Sequence, residues 1–367
     1  KIEKVRVAVP DGSEFTGFAF PGSLVELPNG KLLATFTGLR GKGPHRAMGA
    51  YSGDGGSTWT QPALLFGGPL DEGCSLDIGE SYADPNVAVV NRKCVMVFCV
   101  SLRHDDKVWD LSRTRFWRRI SNDGGSTFGP VEELPRHRKY YVGTVHPALR
   151  LKNSSLIMGY SWDRTAESGR PATGEGTMNP VSGVLISSDE GASWHPGADC
   201  CVDVPKPGDA QECAVNGMAE PAIVELPDGT LFMLARTGTH TLWQSRSCDG
   251  GLSWDKPVPS PLTSHNCPAA LVRLTGDGAV VVVYNDHPRL RLNLSVRLST
   301  DGCRSWGPAR SIAPSGPVSE EAHAAYPNAC QLGDGSIVTV FYEVDPAGKA
   351  PYSVSAARFT RDSLGIG

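Results

Sequence analysis

The segment SGDGGSTW at residues 52–59 returns four more times along the chain. Its copies are SNDGGSTF at 121–128, SSDEGASW at 187–194, SCDGGLSW at 247–254 and STDGCRSW at 299–306. Phe128 replaces the Trp in the second copy, and Cys303 replaces a Gly in the fifth. In Ser-x-Asp-x-Gly the carboxylate is placed to accept N–H groups from its own turn, and Gly permits the tight path. The aromatic residue that follows reads as an apolar plug between strands. Asp and Ser are also oxygen donors, so a ligand or metal role is conceivable. A catalytic centre is needed only once, however, and five equivalent copies argue for scaffolding.

A second repeat precedes each box. It is an apolar strand, a tight turn and another apolar strand. The copies are LVELPNGKLLATF (24–36), VAVVNRKCVMVF (87–98), ALRLKNSSLIMGY (148–160), AIVELPDGTLFMLA (222–235), ALVRLTGDGAVVVVY (270–284) and ACQLGDGSIVTVFY (329–342). Asn-Gly or Asp-Gly between apolar runs is a strong hairpin signal, because both residues tolerate positive φ. An alternating third strand follows each hairpin, at 46–52, 113–121, 181–187, 241–247, 293–299 and 352–360. Each unit needs a fourth strand, and no unit buries both faces alone. The expectation is an all-β, six-bladed β-propeller of four-stranded antiparallel blades, one domain over residues 1–367. Residues 1–9 alternate without a hairpin of their own. They are predicted to supply the outer strand of the last blade, whose box is reduced to Arg361-Asp362.

Composition narrows the function. The net charge of −4 and the lack of any Lys/Arg-rich run argue against nucleic acid as a partner. The longest apolar runs, 94–100 and 279–284, have strand length, so no membrane span is expected. No leader is visible at Lys1. The ten cysteines fit no zinc or redox spacing and read as packing thiols, with one or two bridges as the alternative for a secreted protein. No metal and no cofactor are expected, and the chain is expected to act as a monomer.

Chemistry should gather where inner strands begin and second strands end, since both lie at one mouth of the axis. Most inner strands start at a residue-Pro step: Phe20-Pro21, Asp84-Pro85, His146-Pro147, Glu220-Pro221 and Tyr326-Pro327, with Asn266 ahead of Cys267-Pro268. Proline suits a strand start, where its missing donor costs least. Asp84, His146, Glu220 and Tyr326 therefore share a rim. The second strands lead into Arg40, His45 and Arg46, then Arg103, Trp162, Arg236, Arg289 and Arg291. Many arginines and few lysines at one mouth favour bidentate recognition of a carboxylate.

The boxes resemble the Asp boxes of the sialidase (neuraminidase) superfamily, also called BNR repeats, over nearly the whole chain. The resemblance implies a propeller and an exo-acting glycoside hydrolase that removes a terminal acidic sugar from an oligosaccharide or glycoconjugate, outside the cell or in a periplasm. Sialidases use a Tyr nucleophile in place of a carboxylate. Their anomeric carbon carries the substrate carboxylate, which would repel an anionic nucleophile. By resemblance Tyr326 in AAYPNACQL is the nucleophile and Glu220 in GMAEPAIVEL its base. Arg236, and Arg289 or Arg291, belong to the carboxylate clamp, and Arg40 lies beside the acid loop. Two departures stand out. Ala19 occupies the slot of the first clamp arginine, and GKGPHR at 41–46 lacks the acid/base Asp. Arg46, Arg103 and Arg164 are candidate replacements for the arginine; His45, Asp84 and Asp105 are candidates for the acid. His146 and Trp162 complete the predicted substrate contacts. The alternatives are a polysaccharide lyase acting on a uronic-acid glycan and a non-catalytic carbohydrate-binding propeller.

Overall fold

The computed structural model describes residues 2–8, 19–39, 45–67, 80–105, 108–138, 146–167, 178–203, 216–313, 324–344 and 352–365; of Ala19, Leu39, residues 102–105, residues 108–113 and residues 166–167 it describes the backbone alone. Six four-stranded antiparallel sheets form the blades. Blade 1 spans 19–66, blade 2 80–134, blade 3 149–196, blade 4 219–263, blade 5 270–313 and blade 6 324–359. In every blade the first strand is innermost, and the chain meanders outward. The expected closure is observed: Glu3–Ala8 pairs antiparallel with Ser353–Phe359 and completes blade 6.

The blades are held by six apolar clusters, one at each boundary around the ring. The cluster between blades 6 and 1 joins Leu24, Phe36 and Met48 to Val338, Val340 and Val354. No blade could bury these faces by itself, so the ring is the smallest unit that removes them from water.

The box aromatics lie where the sequence pattern places them. Trp59, Phe128, Trp194, Trp254 and Trp306 each pack into the cluster that their blade shares with the preceding one. In blade 6 a short helix, Arg361–Leu364, replaces the box turn, and its buried Leu364 fills the equivalent boundary. Thr360 and Ser363 cap that helix reciprocally.

Each Ser-x-Asp turn is closed internally. Ser52 Oγ donates to Asp54 Oδ1 at 2.8 Å and accepts the Gly56 N–H at 2.8 Å. Asp54 accepts the N–H groups of Ser57 and Thr58 and the Thr58 hydroxyl. Two successive left-handed residues make the path, Gly55 (φ 69°) and Gly56 (φ 92°) in the first copy. Glu190 (φ 57°) and Cys303 (φ 63°) adopt this conformation without being glycine.

The hydroxyl and N–H donors, in that order of effect, hold the Asp54, Asp189 and Asp249 carboxyls down to about 2. Asp123 and Asp301 are lowered by the same contacts. A folded-state value below that of the unfolded chain stabilises above the unfolded value, and the gain is lost as pH falls through the folded value. Stability against urea should therefore drop steeply between about pH 4 and about pH 2. Asp54→Asn should lower the proton uptake in that interval by up to about one proton. A variant whose pH curve runs parallel to the parent would refute the assignment.

The eight cysteines within the described residues are free thiols. Among the described residues no helix is long and apolar enough to cross a membrane. Among the described residues no His, Cys, Asp and Glu group is arranged to hold a metal ion.

Candidate active site

The residue-Pro steps of blades 2, 4 and 6 turn out to be β-bulges. The inner strands of blades 2, 4 and 6 slip register between Ala83 and Asn86, Ala219 and Ala222, and Ala325 and Asn328. The residue before each proline is left-handed: Asp84 at φ 52°, Glu220 at φ 50° and Tyr326 at φ 56°. Residues preceding proline ordinarily stay extended. Each left-handed non-glycine costs on the order of 1–3 kcal/mol and persists only where its surroundings over-determine it. The bulge turns one side chain out of the in-out alternation of the strand.

The surroundings are tightly fitted. The Glu220 N–H, withdrawn from the ladder by the bulge, donates to Ser161 Oγ of blade 3 at 2.6 Å. The Asp84 N–H donates to Thr37 Oγ1 of blade 1 at 3.0 Å. Gly22 lies so close to the Pro85 carbonyl that a Cβ would sit 2.0 Å from its oxygen, and Gly159 stands likewise against Pro221. Glycine is required there by backbone approach between blades.

Glu220 and Tyr326, 106 residues apart, meet at the axis. The Tyr326 phenol donates to Glu220 Oε1 at 2.8 Å. Arg236, at the end of Leu231–Arg236, donates to Glu220 Oε2 at 2.9 Å and to the Tyr326 oxygen at 2.7 Å. Its Nε donates to Asn266 Oδ1 at 2.8 Å. Arg236, Glu220, Tyr326 and Asn266 are all buried. The Arg291 guanidinium lies 5.3 Å from the Tyr326 ring centre and donates to the Tyr342 hydroxyl and the Asn266 carbonyl. The phenol proton thus already points at a carboxylate, one cation bonds the phenol oxygen, and a second lies near the ring. This arrangement offers the phenol a proton acceptor and can seat an anionic group beside it.

The other side of Tyr326 is aromatic. Phe20 lies 4.7 Å from it between ring centres, and Tyr342 and Tyr352 continue the wall. Burial raises the Tyr342 phenol well above its ordinary value.

The remaining predicted residues scatter. Of the two alternatives for the clamp, Arg291 reaches the site, whereas Arg289 is exposed on the turn whose N–H groups bond His287 Nδ1. His146 is not a substrate-facing residue at the mouth. It is buried, and its Nδ1 lies 3.2 Å from Asn328 Oδ1 of blade 6, directly across the ring from the start of blade 3. Burial pushes its pKa down to about 4, against the opposing bond to Asn328, so the ring is neutral at pH 7. Trp162 is buried in the cluster between blades 2 and 3, where its indole donates to Asp199 and Arg138 stacks on it. Arg46 bonds the Glu80 and His45 carbonyls and faces Tyr82. Arg164 pairs with Asp203. The His45 N–H donates to Ser81 Oγ, and the ring is half-buried. Arg40 falls outside the described residues, as do the side chains of Arg103 and Asp105.

Ser161, Thr37 and Asn328 escaped the sequence reading. A Ser or Thr in the middle of a buried strand, where the pattern asks for an apolar residue, was the available signal.

Residues 77–339, well over half the chain, match the BNR repeat-like domain family. The chain belongs to that family. A curated relative is the sialidase of Micromonospora viridifaciens, 23% identical over 88% of this chain and 50% of that protein. This chain therefore spans about half the length of the relative it matches. Among solved structures, a protein of unknown function from Dyadobacter fermentans superposes with a TM-score of 0.73 at 18% identity, covering 97% of this chain and 98% of that one. The Hadza microbial sialidase Hz136 superposes with a TM-score of 0.75 at 14% identity, over 96% and 67%. Trypanosoma rangeli sialidase, in complex with the inhibitor DANA, gives 0.68 at 16%, over 98% and 59%. This BNR repeat-like chain has the sialidase-superfamily fold.

Proposed function

We propose that this protein is an exo-acting glycoside hydrolase of sialidase type that removes a terminal acidic sugar from an oligosaccharide or glycoconjugate. The observation that carries the reading is the closed set of bonds among Tyr326, Glu220 and Arg236. A buried phenol bonded to a buried carboxylate is poorly suited to packing alone, because both groups need partners taken from water. Tyr326 is the nucleophile and Glu220 accepts its proton. Arg236 and Arg291 bind the substrate carboxylate.

The position of the two cations supports a particular class of sugar. Arg236 bonds the nucleophilic oxygen and Arg291 lies near its ring, so a carboxylate they bind sits on or next to the carbon attacked. A keto-sugar acid of the sialic type meets that demand. A uronic acid carries its carboxylate on C5, separated from the anomeric carbon by the ring oxygen. Of the two bases open to the lyase alternative, His146 is buried and bonded to Asn328, and Tyr326 is bonded to Glu220. Such glycans lie outside the cytoplasm, and the protein acts there.

The test is a screen of the purified protein against 4-nitrophenyl glycosides of N-acetylneuraminic acid, deaminated neuraminic acid and glucuronic acid. Nitrophenol release from one of the keto-acid glycosides, with no new ultraviolet absorbance from a double bond, is the expected result. Release from none of the three, or double-bond absorbance with the uronide, would overturn the reading.

A further inference from the structure

Asn266 joins the two arginines of the site. Its Oδ1 accepts from Arg236 Nε at 2.8 Å, and its carbonyl oxygen accepts from Arg291 Nη2 at 2.9 Å. Arg236 ends the second strand of blade 4, Leu231–Arg236. Arg291 lies in the turn between Val280–Asn285 and Leu294–Ser299 of blade 5. One residue therefore holds a guanidinium from each of two blades.

Asn266 stands in the connection from Val258–Thr263, the outer strand of blade 4, to Ala270–Arg273, the inner strand of blade 5. Connections normally run over the surface. Residues 264–269 are buried throughout, although Ser264, His265 and Asn266 are polar. The Ser264 N–H donates to the His240 carbonyl at 2.9 Å. Asn266 is 1% exposed and left-handed, at φ 45°. After Gly, Asn and Asp take that conformation most readily. A strained backbone at this depth persists only where its surroundings over-determine it.

Each guanidinium is fixed at two nitrogens. Arg236 is held at Nε by Asn266 and at Nη1 by Glu220 and Tyr326. Arg291 is held at Nη2 by Asn266 and at Nη1 by the Tyr342 hydroxyl. A planar fork bonded at two nitrogens has its orientation set. The two acceptors on Asn266 are an amide and a peptide carbonyl, both uncharged. Arg236, Arg291 and Glu220 together carry one positive charge in excess, and a carboxylate at position 266 would cancel it.

We infer that Asn266 is the positioning residue of the carboxylate clamp, aiming Arg236 and Arg291 at one anion, an assignment that rests on the hydrolase reading. It acts through the arginines and not on the reacting atoms. Without its side-chain oxygen, Arg236 keeps its bonds to Glu220 and Tyr326 but loses the one that sets its Nε edge. The two guanidiniums then no longer converge on the same carboxylate.

The experiment measures, by calorimetry, the binding of DANA and of its uncharged methyl ester to the parent protein and to Asn266→Gly. Gly keeps the left-handed backbone and the carbonyl that Arg291 uses, and it removes the bond to Arg236. The parent should bind the acid at least about tenfold more tightly than the ester. In Asn266→Gly the affinity for the acid should fall about 10–100-fold, the range of one hydrogen bond to a charged group, while that for the ester changes less than about threefold. Asn266→Asp, which also accepts the left-handed backbone and keeps both bonds, serves if the Gly variant does not fold. Its added charge should give the same loss, confined to the acid. Equal losses on acid and ester, as a merely structural residue would give, overturn the inference. Discrimination that survives intact in the variant also sinks it and leaves the hydrolase reading in place. A parent that binds the acid no more tightly than the ester removes the clamp from that reading, and this inference with it.

Discussion

Tyr326→Phe should lower kcat on the cleaved keto-acid glycoside by at least about 10³-fold while leaving the propeller folded. The variant keeps the ring, and with it the contacts to Phe20 and Tyr342 and the stacking under Arg291. Only the hydroxyl is lost. Glu220 Oε1 then loses a donor and Arg236 an acceptor, but those two residues still bond each other at 2.9 Å. The stability cost should stay near that of one unmade buried hydrogen bond, about 1–3 kcal/mol. Turnover and urea denaturation on the same preparation separate the two effects. Full turnover in the Phe variant would remove Tyr326 from the chemistry and leave it a packing residue.

Arg236→Leu should have the largest effect on stability. Both side chains of the Arg236–Glu220 pair are nearly inaccessible, at 3% and 8% exposure. Losing the guanidinium leaves a carboxylate buried without its counter-charge, which costs about 3–5 kcal/mol. Adding Glu220→Gln removes the stranded charge, so the double variant should recover part of the loss. Urea unfolding of the two single variants and the double measures the coupling directly. Strictly additive effects would show that the pair does not act as a unit. Activity should be lost in all three, because Arg236 touches both the nucleophile and its base.

The two predictions draw on different kinds of information. Tyr326 and Glu220 were legible from AAYPNACQL and GMAEPAIVEL, because a polar residue before the proline of an inner strand is conspicuous in the sequence itself. The role of Arg236 as the link between them, 16 residues from one and 90 from the other, was not. The same limit explains Arg289 and Arg291. They occupy one turn two residues apart, and which of them points inward depends on the packing of blade 5 against blade 6. Trp162 and His146 were misplaced for a related reason. Both stand near the correct mouth in sequence terms, yet a buried aromatic or imidazole beside the axis serves equally as blade packing.

By itself the sequence determined the blade count, the strand order, the ring closure by residues 3–8 and the turns that join the strands. Those features rest on short-range rules: alternation, Asn-Gly and Asp-Gly turns, and boxes that satisfy their own hydrogen bonds within a few residues. Only the tertiary structure decided which polar side chains share the axis. Bulges of a single residue set their directions, and hydroxyls from neighbouring blades hold those bulges in place. Such contacts join residues far apart along the chain, so no local pattern encodes them.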